Sequence, residues 1–206
     1  MPATESQVDR ALARLGNYRV RRAQIVANAG APDGISGALL LALGLRETNG
    51  INEQGGAKWD AVKNRWVEQD DPTKMDVGIF QISRQHHPAA LAQMVGVANK
   101  TWGPVVSGKT ANDAGYVPRF EESLQFTLRE MHESIAYAAS RDVPEDQLVR
   151  FAVAAHNAGA GGALSGYRAG DIDKYTALGD YSRWVIETRT LVNKWLAAHP
   201  NWRVLA

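Results

Sequence analysis

Apolar and polar positions along the chain follow a period near 3.6 over most of its length, which predicts helices separated by glycine-rich breaks. Residues 5 to 15 and 18 to 29 read as two short helices, the second basic through Arg19, Arg21 and Arg22. The break Gly30-Ala31-Pro32-Asp33-Gly34 leads into a run that is apolar on every side, from Ala38 to Leu45, predicting a helix over 36–47 buried all round. Trp59, Val62 and Trp66 share one helical face over 57–69. Val77-Gly78-Ile79-Phe80-Gln81-Ile82 is too short for a stable helix and reads as a strand or extended loop. Residues 102 to 119, with Gly, Pro, Ser and Asn, read as a long surface loop. Phe120, Leu124, Leu128, Met131 and Ile135 then trace one face of a long amphipathic helix. Pro144 with Glu145 and Asp146 starts another, carrying apolar residues from Leu148 to His156 and stopping at Asn157-Ala158-Gly159-Ala160-Gly161-Gly162. A last helix covers 180–197.

These elements predict an α+β, mainly α-helical protein with a small β or loop region. With 206 residues and no long linker, the expected division is a helical N-terminal arm, 1–34, and one larger domain, 35–206. Apolar content of 45% and charged content of 22% suit a soluble globular chain. The balance of 23 basic against 22 acidic side chains gives no nucleic-acid-binding surface. The absence of cysteine excludes disulfides, thiolate metal sites and a cysteine nucleophile. No apolar run is long enough to span a bilayer, and the polar start Met1-Pro2-Ala3-Thr4-Glu5-Ser6 predicts no secretory signal. His86-His87 has no third ligand at defined spacing, so neither a metal nor another cofactor is expected.

The candidate chemistry begins at Glu47. An acid at the C-terminal end of a buried helix is disfavoured as an anion twice, by desolvation and by the helix dipole. A carboxyl kept protonated near neutral pH is what a general acid needs. Two further segments share the design of an apolar element ending in one polar side chain near glycine: Gly78-Ile79-Phe80-Gln81-Ile82-Ser83 and Ala155-His156-Asn157-Ala158-Gly159. One acid and two primary amides suit a hydroxylated, N-acetylated sugar, because amides both donate and accept.

In order and type, Arg46-Glu47-Thr48, Gly78-Ile79-Phe80-Gln81-Ile82 and Ala155-His156-Asn157-Ala158-Gly159 resemble the motifs of goose-type lysozymes and the related soluble lytic transglycosylases. Arg84-Gln85-His86-His87-Pro88, and Gly170-Asp171-Ile172-Asp173 followed by Asp180-Tyr181-Ser182-Arg183-Trp184-Val185, are similar to segments of the goose-type branch. The resemblance covers roughly residues 35–197. It implies a lysozyme-like fold and cleavage of the β-1,4 bond between N-acetylmuramic acid and N-acetylglucosamine in peptidoglycan. Glu47 would be the general acid, and Gln81, Asn157 and Tyr181 would line the sugar sites. Trp59, in the insertion after Glu47, is a candidate for stacking on a sugar ring.

Two positions depart from the family pattern. His156 stands where the motif has tyrosine. Ser83 stands where goose-type enzymes have an aspartate that holds the attacking water. An inverting hydrolase needs a second carboxylate roughly 6.5–9.5 Å from the acid, for which Asp76 is the first choice and Asp70 and Asp71 are alternatives. Without it, the family's other route forms 1,6-anhydro-muramic acid ends, as a lytic transglycosylase does. A catalytically inactive wall-binding module is the remaining alternative. A monomer made in a host cytoplasm and acting on the bacterial wall, as a phage endolysin or virion-associated enzyme does, completes the expectation.

Overall fold

The computed structural model describes residues 3–13, 17–30, 33–48, 57–60, 65–68, 76–83, 85–93, 97–98, 106–107, 116–117 and 120–203. It forms two compact units, one built from 1–50 together with 126–206, the other from 51–125.

In the first unit the apolar run becomes helix α3, Gly37–Thr48. Leu39, Leu40, Leu41 and Leu43 are all fully buried, so every side of the helix meets protein. Each such side chain contributes about 1.5–3 kcal/mol of burial. The Ser36 hydroxyl opens α3 by accepting the Leu39 N–H at 3.2 Å. The Thr48 hydroxyl closes it by donating to the Gly44 carbonyl at 2.9 Å. The first 34 residues supply α1, Glu5–Ala13, and α2, Asn17–Asn28. Helix α2 packs on α3, and α1 packs on the last helix, here α7, Tyr181–Ala198, which itself lies against α3.

At Gly37 the backbones of α2 and α3 approach closely: a Cβ there would sit 2.1 Å from the Ala27 carbonyl oxygen. A side chain can be admitted only by moving one helix off the other.

Two more helices follow, α5, Phe120–Ala139, which belongs to this unit from Phe126 on, and α6, Glu145–Arg168, numbered after α4, Pro88–Gln93. The end of α5 and both halves of α6 share a core of Ala138, Phe151, Ala154, Ala163 and Leu164 with Ile172. Helix α6 was expected to stop at 156. It runs on to 168, broken only at Gly159, whose φ 71 and ψ 157 lie in a region essentially reserved for glycine. The glycine-rich tail is therefore a kink with a second helical segment behind it.

The second unit holds the strands, all in small antiparallel ladders. Residues 57–69 were expected to be helical, and here the structure differs: β1, Ala57–Asp60, pairs with β2, Arg65–Glu68, with Trp59 opposite Trp66. The 3, 4 spacing of Trp59, Val62 and Trp66 fits one helical turn, but it equally places two aromatics at facing positions of a hairpin, a pairing that stabilises strands. β3, Asp76–Val77, pairs with β4, Ile82–Ser83, as the extended reading of 77–82 allowed. β5, Val97–Ala98, lies between β6, Val106–Ser107, and β7, Tyr116–Val117, so the expected loop over 102–119 contains two short strands. Asp70 and Asp71 fall outside the described residues. The outcome is a mainly helical α+β protein.

Substituting Gly37→Ala is expected to destabilise the protein by about 3 kcal/mol, the upper end for overpacking. Thermal unfolding followed by circular dichroism should show a midpoint lower by roughly 6–12 °C. An unchanged midpoint would show that α2 and α3 do not meet at this backbone contact.

Candidate active site around Glu47

Glu47 lies in the last turn of α3 and is half-buried. Its Oε1 accepts a hydrogen bond from the Tyr181 hydroxyl, joining residues 134 positions apart. Tyr181 is the first residue of α7 and is buried. Burial, the charge of Glu47 and its hydrogen bond, and the charge of Glu130 raise the phenol well above its ordinary pKa against the opposing charge of Arg46. The hydroxyl therefore stays protonated and remains a donor to Glu47.

Arg46, the neighbour of Glu47, ties the same two helices together. Its Nη2 meets Asp180 Oδ1 at 3.0 Å, and its guanidinium lies over the rings of Tyr181 at 5.5 Å and Trp184 at 5.1 Å. A planar, weakly hydrated cation suits this sandwiched position.

What fixes the start of α7 is a carboxylate from elsewhere in the chain. Asp180 occupies the N-cap position but makes no side-chain cap bond. The fully buried Asp173 takes that task, accepting the N–H groups of Ser182 at 2.6 Å and Arg183 at 3.2 Å. It also accepts the Ser182 hydroxyl at 2.7 Å, the Thr176 hydroxyl at 3.1 Å and Arg150 Nη2 at 2.9 Å. Thr176 in turn accepts the Tyr181 N–H at 3.3 Å. Burial alone pushes the Asp173 carboxyl up, yet the bonds from Ser182, Arg150 and the backbone outweigh it and hold the group below the ordinary carboxylate value. An anion at a helix N-terminus is favoured by the dipole as well.

Asn157 sits just before the α6 kink and is exposed. Its Oδ1 accepts the Ala177 N–H at 2.7 Å, in the 3-10 segment Ala177–Gly179 that leads into Tyr181. With that oxygen engaged, the amide nitrogen is a further donor of this exposed residue. His156 beside it is turned inward, its Nδ1 3.1 Å from Glu130 Oε2.

Glu47, Tyr181 and Asn157 thus belong to one connected set in the first unit. The other residues singled out from the sequence lie in the second unit. Gln81 has a left-handed backbone, φ 48, and donates its Nε2 to the Gly78 carbonyl at 2.7 Å within its own turn. Asp76 is exposed and stands opposite the half-buried Ser83 in the β3–β4 ladder. Trp59 is placed in β1 by its backbone, and its side chain lies outside the described residues. Among the described residues no three metal-ligating side chains converge, and no helix is long and apolar enough to cross a membrane.

Asp173, Arg150 and Glu130 were not singled out as site residues. One signal was available: Arg150 interrupts the apolar run from Leu148 to Ala155, and a partly buried cation there favours an acidic partner. No protein-family model and no curated protein matches the chain.

Because the folded Asp173 pKa lies below the unfolded one, its contribution to stability is present above about pH 4 and is lost as pH falls through the lower folded value. Asp173→Asn is expected to cost about 3 kcal/mol at pH 7, the lower end for breaking a buried pair because Arg150 is partly exposed. In urea unfolding that difference should shrink as pH falls below about 4. A gap of equal size at pH 7 and pH 2 would contradict the capping role.

Proposed function

We propose that this protein is a peptidoglycan-cleaving muramidase of lysozyme-like fold, with Glu47 as general acid acting on the bond between N-acetylmuramic acid and N-acetylglucosamine. The observation that carries this reading is the hydrogen bond from Tyr181 to Glu47. Two residues from distant motifs, each picked out by the same family resemblance, meet at one carboxyl group. The phenol donates to Oε1, and Glu47 would deliver its proton to the glycosidic oxygen. Protonation lets the C1–O bond break with its electron pair leaving on oxygen, and an oxocarbenium-like centre develops at C1. The amide nitrogen of the exposed Asn157 would supply a donor for a sugar hydroxyl or acetamido oxygen.

Ser83, where the family has an aspartate, favours one second reading. The muramic acid 6-hydroxyl would then attack its own anomeric carbon and leave anhydro ends. In either case the protein acts on the bacterial wall, as a phage endolysin or a virion-associated enzyme does. A wall-binding module without activity predicts sedimentation with insoluble peptidoglycan and no soluble fragments.

Clearing of a wall suspension tests the assignment. Glu47→Gln is expected to lower the rate by about 10²–10⁴-fold, the worth of a positioned general acid. Tyr181→Phe should lose about 10- to 100-fold, which corresponds to one hydrogen bond to a charged group. Clearing at the wild-type rate by Glu47→Gln would remove Glu47 from the chemistry.

A further inference from the structure

Among the described residues, two large apolar side chains are exposed, and both sit on the stretch between α6 and α7. Tyr175 ends the 3-10 turn Ile172–Tyr175 at 55% exposure, and Leu178 lies in the 3-10 segment Ala177–Gly179 at 88%. Leu178 has φ 62 and ψ 5, a left-handed backbone that suits glycine or asparagine and disfavours a bulky apolar residue. Scattered exposed apolar residues are ordinary. Two on one short loop, one of them on a strained backbone, point to contact with something outside the chain.

Direct hydrogen bonds tie this loop to the residues around Glu47. Asn157 Oδ1 accepts the Ala177 N–H at 2.7 Å, and the Thr176 hydroxyl accepts the Tyr181 N–H at 3.3 Å. Leu178 precedes Tyr181 by three residues, so their Cα atoms lie within about 11 Å of one another. Tyr181 itself meets Glu47. A cation completes the group: Lys174 is exposed, its Nζ 5.6 Å from the centroid of the Tyr175 ring. The acids of this stretch are matched to arginines, Asp171 and Asp173 to Arg150 and Asp180 to Arg46. Lys174 joins no ion pair among the described residues.

We propose that Lys174, Tyr175 and Leu178 form a subsite for the peptide stem of peptidoglycan, beside the sugar bond that Glu47 cleaves. The inference rests on the muramidase reading and names the part of the substrate that the loop takes. The stem hangs from the lactyl group of N-acetylmuramic acid, the sugar whose C1–O bond breaks, so it leaves the glycan within a few bonds of the cleaved linkage. Its alanine methyl groups offer apolar surface to Leu178 and Tyr175, and its carboxylates pair with Lys174. A sugar ring fits the group less well. It would stack on the Tyr175 face, but a neutral N-acetylglucosamine gives Lys174 no partner and Leu178 little surface to cover it.

Titration calorimetry of Glu47→Gln tests this, because that variant is expected to hold substrate without cleaving it. The probes are two tetrasaccharides of alternating N-acetylglucosamine and N-acetylmuramic acid, one with its peptide stems and one stripped of them by an amidase. The peptide-bearing probe should bind about 10-fold tighter, the worth of covering most of one leucine side chain. Adding Leu178→Asn should erase that preference and leave the affinity for the bare probe unchanged. Adding Lys174→Ala should weaken the peptide-bearing probe about 3-fold, and about 0.5 M salt should remove the difference. Because asparagine suits the backbone at 178, the Leu178→Asn protein should melt at or above the temperature of its parent, which separates a lost contact from a lost fold. Should it melt lower, Leu178→Gly takes its place. Equal affinity for the two probes, binding of neither, or an equal loss on both from Leu178→Asn would overturn the proposal. Absence of any soluble glycan from walls treated with the wild type would instead refute the muramidase reading, since stem binding is read without cleavage.

Discussion

A single buried carboxylate, Asp173, holds the first turn of α7 in place. Two backbone N–H groups, two hydroxyls and a guanidinium all converge on it. Without them a charge at 0% exposure would be too costly to retain. With them it fixes the start of α7, and Tyr181 is the first residue of that helix. The hydroxyl that meets Glu47 is thus aimed by a residue that never touches it. Asp180, released from capping, is available to Arg46, and the ion pair closes the gap between the end of α3 and the start of α7.

The arrangement divides labour between apolar and polar surface. Helix α3 is surrounded on all sides until its last turn, so its position is set by packing and its chemistry is confined to Arg46 and Glu47. The contact of α2 at Gly37 and of α7 along α3 leaves little freedom for that end to shift. Gly159 does the corresponding work in α6: by breaking the helix one turn after His156, it leaves Asn157 exposed while Phe151 to Ala155 stay in the core.

Much of this was legible in the residues because it is local. The all-round apolar run gave α3, and the one acid at its end gave the candidate. Periodicity gave α5 and α7 within a few positions. What failed was where one spacing fits two periods, as for Trp59 and Trp66, or where a glycine kinks a helix rather than ending it. The Asp173 network was invisible for a different reason. Its members come from α6, a 3-10 turn and α7, and no window of sequence contains them together.

The central claim is that Glu47 is the proton donor of a glycosidic bond cleavage in peptidoglycan. Mass spectrometry of the soluble products from purified walls tests it most directly. Muropeptides ending in N-acetylmuramic acid, reducing or anhydro, are expected from the wild type, with a near-complete loss of them from Glu47→Gln. Fragments ending in N-acetylglucosamine, or the same muropeptides from both proteins in equal yield, would contradict it.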